Sequence, residues 1–392
     1  MKKSRKLLCM LLALVMVVSL LPVMAFAADE DIAAEEVVPA SVEEISPETA
    51  GIITDVFAKL PNYLVVVKTP WGMLAKGAQV VLYNQNRNTI VASEIATYGV
   101  AVFTKDQRQN AYTMSATWTQ KETGLTFKSA PRISVGKTLD MDVITVHPTF
   151  RIGLKDTDHN AYISGYPDGL VRPNNTLTRA EAAQIIFELM TDESKAQYAK
   201  KTGKTFIDVG KDHWAYEAIT MMTKANVLVG MGDGRFDPNA VMTREQFATM
   251  IAQLFMIEIN QPIGGFIFKD LNGGFADKYI SFLYMLGILE GKGDNMFGPK
   301  DSLTREQAIT VVNKLIGRLP GEGTTSFGAV ADQMKTWPDN MDTTAWYYAA
   351  IQEATNSHDY TLDVNFNTFG DLKGDIFQNI KHPVTERWTL IR

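Results

Sequence analysis

The chain has 392 residues, 46% of them hydrophobic, which is enough to fill two domains of ordinary size. It carries 38 basic and 44 acidic side chains, for a formal net charge of −6, and loss of the first 27 residues, with four basic side chains and no acidic one, makes this −10. That sign argues against nucleic acid as a partner. The single cysteine, Cys9, also lies in those 27 residues, so the remaining chain has no disulfide, thiol nucleophile or thiolate metal site.

Residues 1–27 are predicted to be a signal peptide. A basic start is followed by an apolar run from Leu7 to Val23, and Ala25-Phe26-Ala27 is a small-x-small cleavage signal. The run is short for a helix that spans a bilayer, which disfavours the alternative of a membrane anchor. We therefore expect a secreted protein that has no membrane contact after cleavage.

The next two segments differ sharply in composition. Residues 28–50 are rich in Glu, Ala, Val and Pro and lack aromatic side chains, which predicts an acidic flexible linker. Residues 51–148 then alternate apolar and polar positions with turn formers between them, which predicts an all-β sandwich. The expected strands are Tyr63–Val67, Ala78–Tyr83, Val100–Phe103, Tyr112–Ala116 and Leu139–Ile144, with a turn at 106–110.

This strand order resembles the transthyretin-like or carboxypeptidase-regulatory-like sandwiches of many surface proteins. The resemblance rests on the order of the strands and on a few glycines. Trp71, Tyr83 and Trp118 are candidates for a binding face, although core or edge packing is the more common role of aromatic residues in a sandwich of this size. The sequence does not identify a ligand for this domain.

A four-residue motif then recurs three times and organises the rest of the chain. Each copy has a glycine 14 residues before its arginine, with an aspartate three and a proline eight residues after that glycine. Repeats at such a period predict helical modules that bury their apolar faces against one another. The motifs are Thr178–Glu181, Thr243–Gln246 and Thr304–Gln307, in repeats that we place at 152–200, 204–260 and 266–318.

The first repeat lacks a front half, and a matching segment stands at the other end of the chain. Repeats two and three open with Phe206-x-Asp208 and Phe268-x-Asp270, whereas repeat one opens inside the last strand of the sandwich. Within the C-terminal segment 319–392, residues 337–358 reproduce this front half with no arginine motif after them. We therefore expect the C-terminal segment to pack against repeat one and close three equivalent units.

The motif combines a helix cap with a charge in an unfavourable place. Threonine with Glu or Gln three residues later is a capping box, so that pairing is expected to be structural. Arginine at the first helical position is disfavoured by the helix dipole, and a helix start with free N–H groups is a ready anion site. We therefore interpret Arg179, Arg244 and Arg305 as ligand-binding residues. The alternative is that each pairs with a nearby acid such as Asp168 or Asp233.

Two further sets of residues are candidates for the same grooves. The glycine loops carry Asp168 and Asp233, for which a role in the loop itself is the leading interpretation. Trp214 and its counterpart Trp346 offer an apolar face to a sugar ring, with core packing as the equal alternative.

These residues resemble the surface-layer homology (SLH) domain, whose repeats read Phe-x-Asp-Val, His-Trp-Ala, Gly-Tyr-x-Asp-Gly-x-Phe-x-Pro and Ile-Thr-Arg-Ala-Glu. The resemblance implies a mainly α-helical three-repeat domain with pseudo-threefold closure, following the β-sandwich. It also implies a cell-surface or S-layer protein held to the bacterial wall through a secondary cell-wall polysaccharide, often pyruvylated, that binds the motif arginines. The copies that match are Phe206–Val209, His213–Ala215, Gly165–Gly169, Gly234–Pro238 and Leu177–Glu181.

Departures from the family pattern rank the arginines. Glu245 and Glu306 stand where the family usually has Ala and add negative charge beside the proposed anion site. Repeat three also replaces His-Trp by Gly274-Phe275 and a loop glycine by Asn295. Arg179 is therefore the best-supported binding arginine and Arg305 the least.

No enzyme is predicted. The five histidines are scattered, no paired catalytic carboxylates stand out, and Asp156-x-Asp158-x-Asn160 lacks the Gly and Glu that a calcium loop needs. We expect no cofactor and no metal. The remaining functions are a noncatalytic wall anchor, or a lattice subunit or adhesin whose sandwich binds other surface proteins or glycans. The exact polymer, the binding repeats, the lattice state and the role of residues 361–392 stay open.

Overall fold

The computed structural model describes residues 62–392, apart from 86–88, 97–98, 130–132, 136–140, 157, 257, 260–266, 319, 322 and 365–383. The predicted signal peptide and linker lie outside the described residues. The described chain has β-sheets in its N-terminal region and helices in its C-terminal region, so it is a multidomain protein. None of the described helices is both long and apolar enough to cross a membrane.

Two sheets form the N-terminal region. One has three strands in the order β4-β1-β8, with β1 antiparallel to β4 and parallel to β8. The other has the order β3-β2-β5-β6-β9, and β7 also pairs with β5. The strands are β1 (Asn62–Lys68), β2 (Ala78–Tyr83), β3 (Ile90–Ala96), β4 (Val100–Thr104), β5 (Thr113–Thr119), β6 (Thr126–Lys128), β7 (Ile133–Ser134), β8 (Met141–Thr145) and β9 (His147–Pro148).

The period of two that predicted these strands also sets their core. In β2, Ala78, Val80 and Leu82 are fully buried while the residues between them are not. Trp71 and Trp118 are buried against the ring of Phe127, at 5.7 and 4.9 Å between ring centres. These two tryptophans are therefore core residues, and a binding face cannot be built from them.

One predicted turn is a helix. Residues Lys105–Asn110 form α1, because Thr104 accepts the N–H of Gln107 and the side chain of Gln107 accepts the N–H of Thr104. The sequence rule that predicts a turn from Asp, Gln and Asn missed this capping box.

The C-terminal region consists of helix pairs followed by a hairpin. Helix α2 packs against α4, α5 against α6, and α7 against α8. The apolar faces predicted from the spacing after each arginine are buried. The elements are α2 (Arg179–Leu189), α3 (Asp192–Ala199), α4 (Tyr216–Lys224), α5 (Arg244–Ala252), α6 (Asp277–Met285), α7 (Arg305–Leu315), a 3₁₀ helix (Gly328–Gln333), α8 (Tyr348–Thr355), β10 (His358–Val364) and β11 (Val384–Ile391).

Backbone hydrogen bonds link the three repeats in a cycle just before the arginine motifs. Leu177 donates its N–H to the carbonyl of Leu303 at 2.8 Å, and Leu303 donates to Met242 at 2.9 Å. Met242 in turn donates to Leu177 at 2.8 Å. Each repeat therefore both donates to and accepts from another at the same sequence position.

The C-terminal segment contributes to repeat one what the other repeats supply for themselves. The carboxylate of Asp339 accepts the N–H groups of Val171 and Arg172 at 3.0 and 2.7 Å. Asp208 does the same for Phe236 and Asp237 in repeat two, at 2.9 and 2.7 Å. Asp270 has this role in repeat three. Each front-half aspartate thus ties the loop of its unit to the front half of that unit.

The glycine that opens each loop is needed for space. Gly165, Gly230 and Gly291 do not have positive φ, and the turning glycines of these loops are later ones such as Gly169 and Gly234. A side-chain carbon on Gly230 would lie 2.5 Å from the ring of Phe206, and Gly165 meets Trp337 in the same way. An aromatic ring from the front half therefore rests directly on each glycine.

Residues beyond α8 fold back onto the helices. Strands β10 and β11 pair antiparallel, and Trp388 of β11 is 2% exposed. Its ring packs against Phe327 at 4.5 Å and stacks on His358 at 3.8 Å. The described part of the tail is thus docked, a point that the sequence left open.

Candidate functional site

The capping boxes predicted at the repeat helices form in two copies of three. The hydroxyls of Thr178 and Thr243 accept the N–H of the third helical residue, and the Glu181 and Gln246 side chains accept in return. The prediction of a third capping box is wrong, because the Thr304 hydroxyl instead donates to Glu306 at 2.7 Å.

The reason lies in the neighbouring repeat. Glu245, at the position of Glu306, pairs with Lys300 at 2.5 Å and leaves its threonine free to cap. The residue that matches Lys300 beside Glu306 is Asn174, which has no charge to offer. Burial raises the pKa of Glu306, and the carboxylate takes its hydrogen bond from Thr304 instead.

The first two N–H groups of each repeat helix are already used. Arg179 and Ala180 donate to the carbonyls of Ala240 and Pro238, at 3.0 and 2.9 Å. The second and third helices donate in the same way, to Asp301 and Pro299 and to Asn175 and Pro173. The expectation that these helix starts offer free N–H groups to an anion is therefore wrong for these donors, since a neighbouring repeat occupies them.

Two of the motif arginines hold the loop of the next repeat. Arg179 donates from Nε to the carbonyl of Phe236 at 2.9 Å and from a terminal nitrogen to Val229 at 2.7 Å, with its guanidinium 4.5 Å from the Phe236 ring. Arg244 makes the matching contacts with Phe297 and Glu290. Burial lowers the pKa of Arg179, and the charges of acids in the same loop only partly offset this.

The third arginine makes a different junction. Arg305 donates from Nε to the carbonyl of Val171 at 3.1 Å, but it also pairs with Glu181 at 3.3 Å. The ring of Tyr166 lies 4.9 Å from this guanidinium and its hydroxyl donates to Glu181. Burial, with the hydrogen bond to Glu181, raises the pKa of Tyr166 to about 12.

Asp168 and Asp233 stay within their own loops. Asp168 pairs with Arg172 at 2.6 Å and accepts the N–H of Leu170, and Asp233 pairs with Arg235 at 2.8 Å and accepts its N–H. Among the described residues neither aspartate pairs with a motif arginine, so the alternative fails for these two acids; Arg305 does pair with another nearby acid, Glu181. The loop role that led in the sequence interpretation is the one these contacts support.

Three exposed rings occupy one position of the repeat, just before the front helices. Trp214, Phe275 and Trp346 are 61%, 59% and 63% exposed, so the core-packing alternative for the two tryptophans is wrong. Lys300, which bonds to the start of α5 through Glu245, lies 5.9 Å from the Phe275 ring. Phe275 therefore lies near the junction of repeats two and three, and Trp214 and Trp346 occupy the matching sequence position. The sequence interpretation noted that Phe275 replaces the tryptophan of repeat two, but it did not name Phe275 as a candidate for contact with a sugar.

A small cavity in repeat two also escaped the sequence interpretation. It measures about 170 Å³ and lies between the Phe206 segment and helix α4. Its rim carries the exposed amines of Lys204 and Lys211 around an apolar floor that includes Tyr216. It is a second place where positive charge adjoins an aromatic surface.

The helix pairs, the cyclic hydrogen bonds and the loop-holding arginines define a domain of three interlocking repeats. A family model for the S-layer homology domain matches residues 158–183, 205–248 and 267–309. The repeat region of the chain is therefore similar to S-layer homology domains. The chain is a secreted protein attached to the cell wall.

Several named proteins are similar to this chain over the repeat region. One is a cellulosome-anchoring protein of Acetivibrio thermocellus, 34% identical over 213 residues, which are 53% of this chain and 45% of that protein. Another is cell surface glycoprotein 1 of the same organism, 30% identical over 232 residues, 56% of this chain and 9% of that protein. The S-layer protein sap of Bacillus anthracis is 30% identical over 128 residues, 32% of this chain and 16% of that protein. The chain thus spans less than half of each relative.

Proposed function

We propose that the repeat domain anchors the chain to the bacterial wall, without catalysis, by binding an anionic secondary cell-wall polysaccharide that carries pyruvylated sugar. The names of the relatives, an anchoring protein and an S-layer protein, support the anchoring role. In this proposal the domain boundaries are those given by the sequence, and the sandwich is displayed outward from the wall.

The proposal includes closure of the three repeats into a pseudo-threefold ring. The cycle of hydrogen bonds through Leu177, Leu303 and Met242 supports it, since each donor is matched by an acceptor in another repeat. The contacts of Asp339 with the loop of repeat one support it as well. Closure leaves three junctions, which are the candidate grooves.

The junction between repeats one and two is the favoured binding site. Arg179 has no carboxylate within ion-pair distance among the described residues, and the next helical position is Ala180, where the other repeats have glutamate. The guanidinium therefore keeps a positive charge at this junction and holds the loop that forms one wall of it. Trp214 supplies an exposed face for a sugar ring. The observations that carry the proposal are the exposed ring of Trp214, at the repeat position that Phe275 occupies near the next junction, and a motif arginine, Arg179, that forms no ion pair among the described residues.

Wall binding by point variants tests the proposal. Arg179→Ala removes contacts between repeats as well as charge, so Trp214→Ala is the cleaner variant because it truncates a ring that is 61% exposed. We expect Trp214→Ala to lower binding to purified wall polymer at least about tenfold, the loss of one stacking contact, with little change in stability. Among the single variants, Arg179→Ala is expected to weaken binding most, then Arg244→Ala, then Arg305→Ala. The triple variant is expected to bind more weakly than any single one.

The matched control is Ile207→Ala, which truncates another exposed apolar side chain of the same repeat. The second arm uses wall treated with mild acid to remove pyruvyl groups. The wild type is expected to bind this treated wall more weakly than untreated wall. Unchanged binding by Trp214→Ala would refute the site. Equal binding to treated and untreated wall would refute the anionic ligand.

A second candidate function is protein contact through the sandwich. Strand β3 pairs with β2 in the second sheet and exposes Ile90 and Ile95, at 58% and 56%. Exposed apolar side chains on a sheet surface favour contact with another protein. Cross-linking of wild type and Ile90→Asp on intact cells distinguishes the two functions, because anchoring through the repeats is expected to be the same in both.

A further inference from the structure

Four titratable side chains that are far apart in sequence meet in one buried cluster. His159 lies at the start of repeat one, Glu353 lies on α8, and His358 and Glu386 belong to β10 and β11. All four are 3% exposed or less, and one nitrogen or oxygen of each lies within 4.8 Å of the others. The sequence predicted no metal site, because these histidines are scattered along the chain.

We propose that this cluster is a structural zinc site with two imidazole and two carboxylate ligands. Zinc takes such nitrogen and oxygen ligands in a closed tetrahedral set when its role is structural. The site lies outside the junctions between repeats and is independent of the proposed wall binding.

The separations between the donor atoms fit one small ion. His159 Nδ1 lies 3.0 Å from His358 Nε2, 3.1 Å from an oxygen of Glu353 and 3.4 Å from an oxygen of Glu386. His358 Nε2 lies 3.3 Å from Glu353. Zinc bonds of about 2.0–2.2 Å at tetrahedral angles separate the ligands by about 3.3–3.6 Å. The cluster needs only small movements to reach that geometry.

The surroundings orient the ligands. His358 Nδ1 donates to the carbonyl of Asn356 at 3.0 Å, which leaves Nε2 with a lone pair facing the cluster. Trp388 donates to the second oxygen of Glu353 at 3.2 Å. Hydrogen bonds of this kind around metal ligands fix their tautomer and direction.

Arg318 is the nearest fixed charge. Its terminal nitrogens donate to the carbonyls of Asp158 and Asn160 at 3.0 and 2.9 Å, on either side of His159 in the chain. Its closest approach to Glu353 is 4.0 Å. Arg318 therefore holds the backbone that carries one ligand, and it stands outside hydrogen-bond distance of Glu353.

Protons alone satisfy this cluster poorly. If His159 is protonated at Nδ1, that single N–H faces both His358 Nε2 and the nearer oxygen of Glu353. One N–H cannot serve both acceptors well, and a buried acceptor without a donor costs about 1–3 kcal/mol. Glu353 is fully buried, and its oxygen nearest His159 has no hydrogen-bond partner. A divalent cation satisfies all of these atoms together.

Such an ion would join three separate parts of the chain. A two-stranded hairpin is marginal in water by itself. Among the described residues, β10 and β11 are held by a small apolar cluster around Phe327 and Trp388 and by backbone hydrogen bonds from His358 to His159 and from Trp388 to Ser326. Zinc bound to His159, Glu353 and Glu386 fixes the hairpin to α8 and to the start of repeat one. The expected consequence is a tail that docks firmly only when the metal is bound.

Zinc titration of the mature full chain, purified and dialysed against a chelator, tests the site. We expect one equivalent of Zn²⁺ to bind and to raise the melting temperature, and Co²⁺ in its place to give the visible absorption of a tetrahedral complex. Glu353→Gln and His358→Gln are expected to weaken zinc binding at least about 100-fold, because each removes a direct ligand. His213→Gln, a half-exposed histidine in repeat two, is the matched control and is expected to bind as the wild type does.

Ring ¹⁵N NMR of the wild type keeps the test valid if a variant fails to fold. Zinc is expected to shift the resonances of two histidines, one through Nδ1 and one through Nε2. Absence of stoichiometric zinc binding by the wild type would overturn the proposal and assign the cluster to protons. One equivalent that persists in folded Glu353→Gln and His358→Gln would overturn it too, as would preference for Ca²⁺ or Mg²⁺ over Zn²⁺.

Discussion

The junction around Arg305 differs in chemistry from those around Arg179 and Arg244. The latter two place a guanidinium on backbone carbonyls and against a phenylalanine ring. At Arg305 a tyrosine replaces the phenylalanine contact and Glu181 adds an ion pair. This third junction joins the two ends of the helical region, whereas the other two join repeats that follow each other in the chain.

The difference shows how a repeat domain specifies its own ends. Identical junctions would let any repeat pack on any other, within one chain or between chains. The ion pair and the tyrosine hydrogen bond at one junction make repeats one and three prefer each other over other repeats. Buried polar residues fix the register of coiled coils in the same way. The three predictions below compare the junctions, from the largest expected effect to the smallest.

Trp337→Ala is expected to have the largest effect. Trp337 is 3% exposed and rests on Gly165, so its loss leaves a cavity where the C-terminal segment meets repeat one. The expected loss is about 3–5 kcal/mol of unfolding free energy, measured by urea denaturation. Phe206→Ala, at the same position in repeat two but only partly buried, is expected to cost less. An equal or smaller loss for Trp337→Ala would show that the C-terminal segment is not integral to the domain.

Asp208→Asn is expected to change how stability depends on pH. Burial tends to raise the pKa of Asp208, but the N–H groups of Phe236 and Asp237 more than offset this and hold it below its usual range. A carboxylate of this kind stabilises the fold above its unfolded pKa, about 3.9, and the gain is lost as pH falls through the folded value.

Unfolding curves of wild type and Asp208→Asn between pH 7 and pH 2 measure this contribution. The variant is expected to lose about 1–2 kcal/mol at pH 7, since one charged hydrogen bond becomes neutral and the other is lost because the amide nitrogen cannot accept an N–H, and to show a flatter decline below pH 4. Asp270→Asn is expected to behave alike, because its pKa is lowered in the same way. The control is Asp233→Asn, since Asp233 forms an exposed ion pair within its own loop. An equal effect of Asp233→Asn would show that the front-half aspartates have no special role.

Glu181→Gln is expected to have the smallest effect and to act on the third junction alone. Glutamine keeps the cap, as Gln246 does in repeat two, so the change isolates the ion pair with Arg305 and the bond from Tyr166. The expected loss is about 1 kcal/mol, the net value of one hydrogen bond, and changes little with salt because the pair is mostly buried. Glu193→Gln, an exposed acid on α3, is the control. An equal loss for Glu193→Gln would contradict a specific role of the third junction.

Much of this architecture was predictable from local patterns. Alternation in Ala78–Tyr83 gave β2, and apolar spacing after each arginine gave the buried faces of α2, α5 and α7. Short strands such as Thr126–Lys128 and β9 were missed because two or three residues carry no readable period.

The site was harder to predict, because its chemistry depends on the neighbouring repeat. The dipole rule predicts that Arg179 seeks an anion, but carbonyls of another repeat satisfy both the helix start and the guanidinium. The position that matches Lys300 decides whether Thr304 caps its helix. Likewise, His159 and His358 meet only through the fold-back of the tail. Such contacts join distant positions and leave no local signal.

The placement of Trp337 and Asp339 also has a consequence for how the protein is made. Both complete a unit that begins near Gly165, so that unit cannot finish folding until the chain up to Asp339 has crossed the membrane. Contacts between such distant positions form late, and the half-finished repeat exposes apolar surface meanwhile. Secretion and folding are therefore coupled through the segment that carries Trp337 and Asp339, and extracellular chaperones or proteases would meet the first repeat while it is still incomplete.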